Sequence, residues 1–190
     1  MKKINAILGL LLVVLTISSC SRENRTIIEK NRVGLVCSQD LISEIETIFA
    51  SDSIVKNLSE GALGGGDTKY VQDNDEYLIY SKEGKHLMTI VPNEQHDSTS
   101  TIKYVQILDP QFKTEKGLGL SSPFKEINVN YMINKVETSL SSATLYIDEL
   151  NATIALDKKE IGVNPFSTQE IKIEQIPDMA KIKYLTIWFD

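Results

Sequence analysis

Arginine is absent from this chain after residue 32: Arg22, Arg25 and Arg32 are the only three among 190 residues. From Val33 onward 14 lysines stand against 24 acidic residues, a net charge of −10. Arginine's planar fork is the usual donor to phosphates and guanine edges, and a net-negative body repels a phosphate backbone. Nucleic acid is therefore excluded as a partner. Histidine is nearly missing too, with only His86 and His96, and no HExxH, GxSxG or paired-cysteine pattern surrounds them. A zinc site or a Ser-His-Asp triad would have to draw on these two, so the expectation is no catalytic residue, no metal, no cofactor and no enzyme. Nothing after residue 20 approaches the roughly 20 apolar residues of a membrane-spanning helix.

What is present begins with MKKINAILGLLLVVLTISSCSREN. Lys2 and Lys3 precede an apolar run from Ile4 to Ile17, too short for a stable span and of the form of a secretory signal. Ile17-Ser18-Ser19-Cys20 resembles the lipobox of bacterial lipoproteins, an apolar residue and two small ones before an obligate cysteine. That resemblance implies cleavage before Cys20 and lipid attachment at Cys20, which ties the chain to a membrane without a spanning helix. A single acyl chain anchors only marginally, whereas two or three make the attachment nearly permanent. Ser21 in place of aspartate fits sorting to the outer membrane, with the body facing the periplasm. The expected organisation is a removed signal over residues 1–19, a polar tether over 20–32, and a body of two α+β repeats over 33–110 and 111–190, which can form one continuous domain. Lipid on Cys20 leaves Cys37 alone, and its apolar setting, Val33 to Cys37, predicts a buried structural thiol.

The body alternates short strands with two helical stretches. Leu41, Ile42, Ile45, Ile48 and Phe49 have the spacing of one helix face, with Ser38 as N-cap. Glu76–Tyr80 and His86–Val91 read as a hairpin ended by Pro92, Ile102–Leu108 as a further strand. Ser121–Ile127 predicts a short helix with Pro123 in its first turn. Residues 143–148 and 152–157 form a second hairpin, and 182–189 closes the chain as a strand. Ile102-Lys103-Tyr104-Val105-Gln106-Ile107 echoes Ile182-Lys183-Tyr184-Leu185-Thr186-Ile187, four of six residues identical at a separation of 80 positions. A tandem repeat of about 80 residues follows, in an α+β fold: antiparallel sheet with one or two short helices on one face.

Gly117-Leu118-Gly119-Leu120-Ser121-Ser122-Pro123-Phe124 resembles the Gly-apolar-Gly signature before a short helix in small envelope lipoproteins of the SmpA/OmlA type and the wider group like β-lactamase-inhibitor protein. In the first copy Cys37 stands where glycine is usual and Gln39 where threonine is common. The resemblance implies a helix on an antiparallel sheet and protein–protein work in the envelope, often through the exposed sheet face. Fold-level likeness carries no function by itself.

The remaining motifs have plainer readings. Gly61 to Thr68 lacks the lysine of a phosphate loop, since Asp67 stands in its place, and reads as a flexible loop. Asp73-Asn74-Asp75-Glu76 lacks the glycine and distal glutamate of a calcium loop and reads as a solvated acidic turn. Asp52-Ser53-Ile54 and Asp97-Ser98-Thr99 resemble periplasmic O-glycosylation triplets, which makes Ser53 and Ser98 candidate modification sites. Tyr77, Tyr80, Tyr104, Tyr146, Tyr184 and Trp188 fall on strands, and any that share one solvent-facing side would form a partner surface. The functional expectation is a non-enzymatic, lipid-anchored protein that binds or scaffolds an envelope protein. The alternatives are a small-molecule or enzyme-inhibitor module using the sheet face or loop 61–76, and a hydrolase with an unrecognised site.

Overall fold

Period-two alternation of apolar and polar side chains decides the architecture. The computed structural model describes residues 24–59, 74–167 and 169–189. Its strands are β1 (Ile27–Glu29), β2 (Arg32–Val33), β3 (Val36–Cys37), β4 (Ser53–Asn57), β5 (Glu76–Tyr80), β6 (His86–Pro92), β7 (Ile102–Ile107), β8 (Lys113–Thr114), β9 (Lys135–Thr138), β10 (Ser142–Ile147), β11 (Ala152–Asp157) and β12 (Ile182–Trp188). Its helices are α1 (Ile45–Ile48), α2 (Phe124–Asn130) and α3 (Lys158–Ile161). The α+β class with a mainly antiparallel sheet is as expected.

Eight strands form one sheet in the order β4-β5-β6-β7-β12-β11-β10-β9. Each half is an antiparallel meander preceded by a helix, α1 before β4 and α2 before β9. The halves meet where β7 pairs with β12, Ile107 opposite Leu185 and Val105 opposite Ile187. All four of these seam side chains are fully buried. Burying each stabilises the fold by roughly 1.5–3 kcal/mol. The echoed segments are therefore adjacent central strands, and one hydrophobic cluster runs through both halves.

A second sheet, β3-β2-β1-β8, joins the N-terminal strands to the start of the second half. Ile28 and Val33 in it are buried, so the folded body begins before residue 33 and the expected tether over 20–32 is shorter than its polarity implied. Short strands with one or two inward side chains leave no periodic signal. Gly34 turns the chain here with φ of +58°, and a Cβ on it would sit 2.4 Å from the Arg25 carbonyl oxygen. Only glycine fits both conditions.

The first helix is shorter than predicted. Ser38 is not its cap: the chain passes through a 3-10 turn at Ile42–Glu44 before α1 begins. The buried Asp40 side chain accepts from Cys37 N at 2.9 Å, and Ile42 N donates to Ser100 O at 2.9 Å, which commits residues 37–42 to other partners. Ile42, Ile45 and Phe49 still line the buried face. Docking of this stripe outweighs the modest helix propensity of Ile and Thr. Pro123 stands at the N-cap of α2, one position before its first turn. Pro92 lies within β6 at a register shift rather than after it, a place proline tolerates because it lacks the ladder donor. Among the described residues no helix is long and apolar enough to cross a membrane.

Candidate functional site

Each strand of the large sheet sends one set of side chains into the core and leaves the other on the opposite face. On that open face cross-strand partners line up as Leu78, Thr89, Gln106, Thr186, Thr153 and Tyr146 across six strands. Threonine and glutamine make its centre polar. Aromatic side chains flank it. Tyr104 and Trp188 are direct cross-strand partners with ring centroids 4.8 Å apart. The Trp188 indole N–H donates to Thr153 Oγ1 at 3.0 Å. Tyr80 stacks on His86 at 4.5 Å. Tyr146 donates to the Glu137 carboxylate, and the Lys135 ammonium lies 5.3 Å from its ring centre.

Of the six aromatics noted in the sequence, Tyr80, Tyr104, Tyr146, Tyr184 and Trp188 share this face and stay partly exposed, Tyr184 at 44%. Tyr77 points into the core. The face is not uniformly open, because Thr89 and Val91 of β6 are buried. Burial and nearby Glu76 raise the Tyr104 phenol above its ordinary value, and the hydrogen bond to Glu137, helped by burial, raises Tyr146. Burial lowers His86, outweighing its favourable hydrogen bond and Glu76, which keeps the ring that stacks on Tyr80 neutral near pH 7. The surface is therefore amphipathic and uncharged at its centre, with rigid aromatic side chains held by neighbours. Such side chains contribute contact area at low entropic cost.

The structure also brings together three residues that no sequence motif connects. Asp75 is 1% exposed, so the acidic turn expected to be solvated is buried at this residue. Its Oδ1 accepts from Ser59 N at 2.8 Å and from Ser59 Oγ at 3.0 Å, and its Oδ2 accepts from His96 N at 2.6 Å. Burial alone would raise this carboxyl. The hydrogen bonds from His96 and Ser59, with the nearby His96 ring, more than offset it and hold Asp75 below the ordinary aspartate value.

His96 Nε2 lies 3.0 Å from Ser59 Oγ, and Nδ1 lies 3.8 Å from Asp75 Oδ1. A working triad needs the reverse arrangement, with Nδ1–H bonded to the carboxylate and the serine proton aimed at Nε2. Here the serine hydroxyl hydrogen goes to Asp75, so in the Ser59–His96 contact Nε2 is the donor and Ser59 Oγ the acceptor. Nδ1 is beyond hydrogen-bond reach of the carboxylate. The cluster is a brace tying the end of β4, the start of β5 and the β6–β7 loop. His96 adopts φ of +58° to complete it.

Ser53 opens the edge strand β4 and Ser98 lies in the β6–β7 loop, and both are exposed. Cys20, the Gly61–Thr68 loop, most of loop 61–76 and Asp73 lie outside the described residues. Cys37 is buried, as expected. Among the described residues no group of three or more His, Cys, Asp or Glu is placed to hold a metal ion.

No family model matches the chain, and no curated protein matches it. Among solved structures, the crystal structure of the uncharacterized protein YfeY from Escherichia coli aligns with a TM-score of 0.52 and 12% identity, covering 87% of this chain and all of that one. That likeness concerns the fold alone.

Proposed function

We propose that this protein is a lipid-anchored component of the bacterial envelope that binds another envelope protein through the open face of its large sheet. The observation that carries the reading is the grouping of Tyr80, Tyr104, Tyr146, Tyr184 and Trp188 around a polar, uncharged centre. Tyr and Trp dominate the energetics of protein interfaces. The matched order of elements in the two halves supports a tandem repeat of about 80 residues. The lipobox-like Ile17 to Cys20 supports the anchor at Cys20, and Ser21 supports outer-membrane sorting with the body in the periplasm. No catalytic step is assigned, because the Ser59 hydroxyl is bonded to Asp75.

Cross-linking in intact envelopes followed by affinity capture tests the binding. A reproducible protein partner is expected, and it should be lost when Tyr104, Tyr184 and Trp188 are changed together to alanine. Undiminished capture by a folded triple variant would remove the face from the reading. The anchor has a separate test: Cys20→Ala should abolish acyl labelling and leave unprocessed precursor, and normal labelling of that variant would refute it. A thioether at Cys20 leaves that sulfur unavailable for a disulfide with Cys37, so intact mass of the native protein distinguishes the lipidated chain from an internally cross-linked one. The same spectrum reports on Ser53 and Ser98, where an added hexose is the mark of O-glycosylation.

A further inference from the structure

A separate concavity opens where the N-terminal segment, the end of α1 and β6 converge. Leu35, Phe49, Leu87, Met88 and Phe112 line it, each no more than 8% exposed, and its volume is about 240 Å³. An ion pair stands in its wall. The Arg25 guanidinium, half exposed, pairs with the Asp52 carboxylate, whose side chain is 7% exposed. Arg25 also donates from Nη1 to Ser51 Oγ at 3.0 Å. Thr26, Ser81 and the exposed Gln111 complete the lining. None of the open-face aromatics contributes.

We propose that this cavity binds a neutral small molecule with an apolar ring or chain and one oxygen acceptor at its end. Size sets the first limit. An apolar cavity of about 150 Å³ holds benzene, so this one holds on the order of ten non-hydrogen atoms. The walls set the second. Five apolar side chains offer water no hydrogen-bond partners, so water there is weakly held and an apolar body displaces it readily. Charge sets the third. Arg25 and Asp52 cancel, which favours neither an anion nor a cation. Orientation comes from Arg25: two of its five N–H donors are used by Asp52 and Ser51, which leaves others for an oxygen at the rim. A few placed polar groups on an otherwise apolar pocket is the usual composition of a small-molecule site.

The test is a methyl NMR titration of the full mature chain carrying Cys20→Ser, so that neither lipid nor detergent competes. The probes are 1-octanol and benzyl alcohol, with octanoate and octylamine as charged counterparts. Saturable shifts centred on Leu35, Leu87 and Met88, with a Kd below ~1 mM for at least one neutral probe, are expected. The charged counterparts should bind several-fold more weakly. Gln111→Trp, at an exposed position, should fold with an unchanged melting temperature and weaken binding at least tenfold; Leu35→Phe is the second filling variant. The site is overturned if no shift saturates, if shifts centre elsewhere, or if both folded filling variants bind as the parent does. Equal binding of octanoate or octylamine would overturn the neutral-ligand assignment.

Discussion

In the half of the sheet built from β4 to β7 the longest connection falls between the first two strands, residues 58–75. In the half built from β9 to β12 it falls between the last two, residues 158–181. The other half makes each of those steps differently: β9 and β10 are joined by Ser139 to Ser141, and β6 and β7 by residues 93–101. One buried charged side chain stands among the described residues of each connection. Asp75 gathers two backbone N–H groups and a hydroxyl. Lys158, fully buried, donates to Leu140 O at 3.2 Å and Ser167 O at 2.6 Å. The carboxylate collects donors and the ammonium collects acceptors. A chain that leaves a sheet carries backbone groups away from the ladder, and these need partners when buried. Opposite charges solve the same problem in the two halves.

The seam that both halves share is where a substitution should do most damage. Leu185→Ala should cost about 3–4 kcal/mol and unfold both halves in a single urea transition, because the seam core is continuous. Two separate transitions would show that the halves are independent. Next come the braces. Lys158→Ala should cost about 3 kcal/mol, since it opens a cavity and strands two carbonyls. Asp75→Ala should cost about 2 kcal/mol by stranding the Ser59 and His96 N–H groups. The Asp75 loss has a pH signature. Its carboxyl is held below the ordinary value of 3.8, so its contribution is complete above that value and disappears as pH falls through the folded-state value. The stability gap between parent and Asp75→Ala should therefore be constant at neutral pH and close in acid. A gap independent of pH down to acid unfolding would mean that the charge of Asp75 is not what braces the loop.

The turn glycines come lower. Gly84 and Gly162 have φ of +80° and +78°, with open space where a Cβ would stand. Alanine at either should cost about 1 kcal/mol from left-handed strain alone, one glycine in each half, with equal effect. A large difference in thermal unfolding between the two variants would expose a constraint in one half that the other lacks. Smallest should be Tyr184→Ala on the open face. It is expected to leave melting unchanged while weakening partner capture, the opposite of every core or brace substitution.

Much of the large sheet was legible beforehand. The bounds of β5 and β11 follow from alternation, because one face of each strand is buried and the other is not, and β10 lies one residue earlier than expected. The edge strands β4 and β9 escaped notice. Ser53-Ile54-Val55-Lys56-Asn57 and Lys135-Val136-Glu137-Thr138 bury too little to alternate clearly. The helix start at Ser38 failed for a different reason, since Asp40 and Ser100 capture that backbone from outside the local sequence. The aromatic face was partly legible, as a set of strand aromatics without a side assigned to each. The Ser59–Asp75–His96 brace and the Arg25–Asp52 cavity were not legible, because each joins residues far apart in the chain with no motif between them.

Residue order alone settles the local periods, the charge of the body, the lipobox-like start and the echo between residues 102–107 and 182–187. Those depend on neighbouring side chains and on nothing distant. Three-dimensional packing was needed to set the echoed segments side by side, to gather five aromatics on one face while Tyr77 turns inward, and to supply partners for buried Asp75 and Lys158. Each of these depends on long-range pairing, whose register is set by simultaneous burial of both halves against one core.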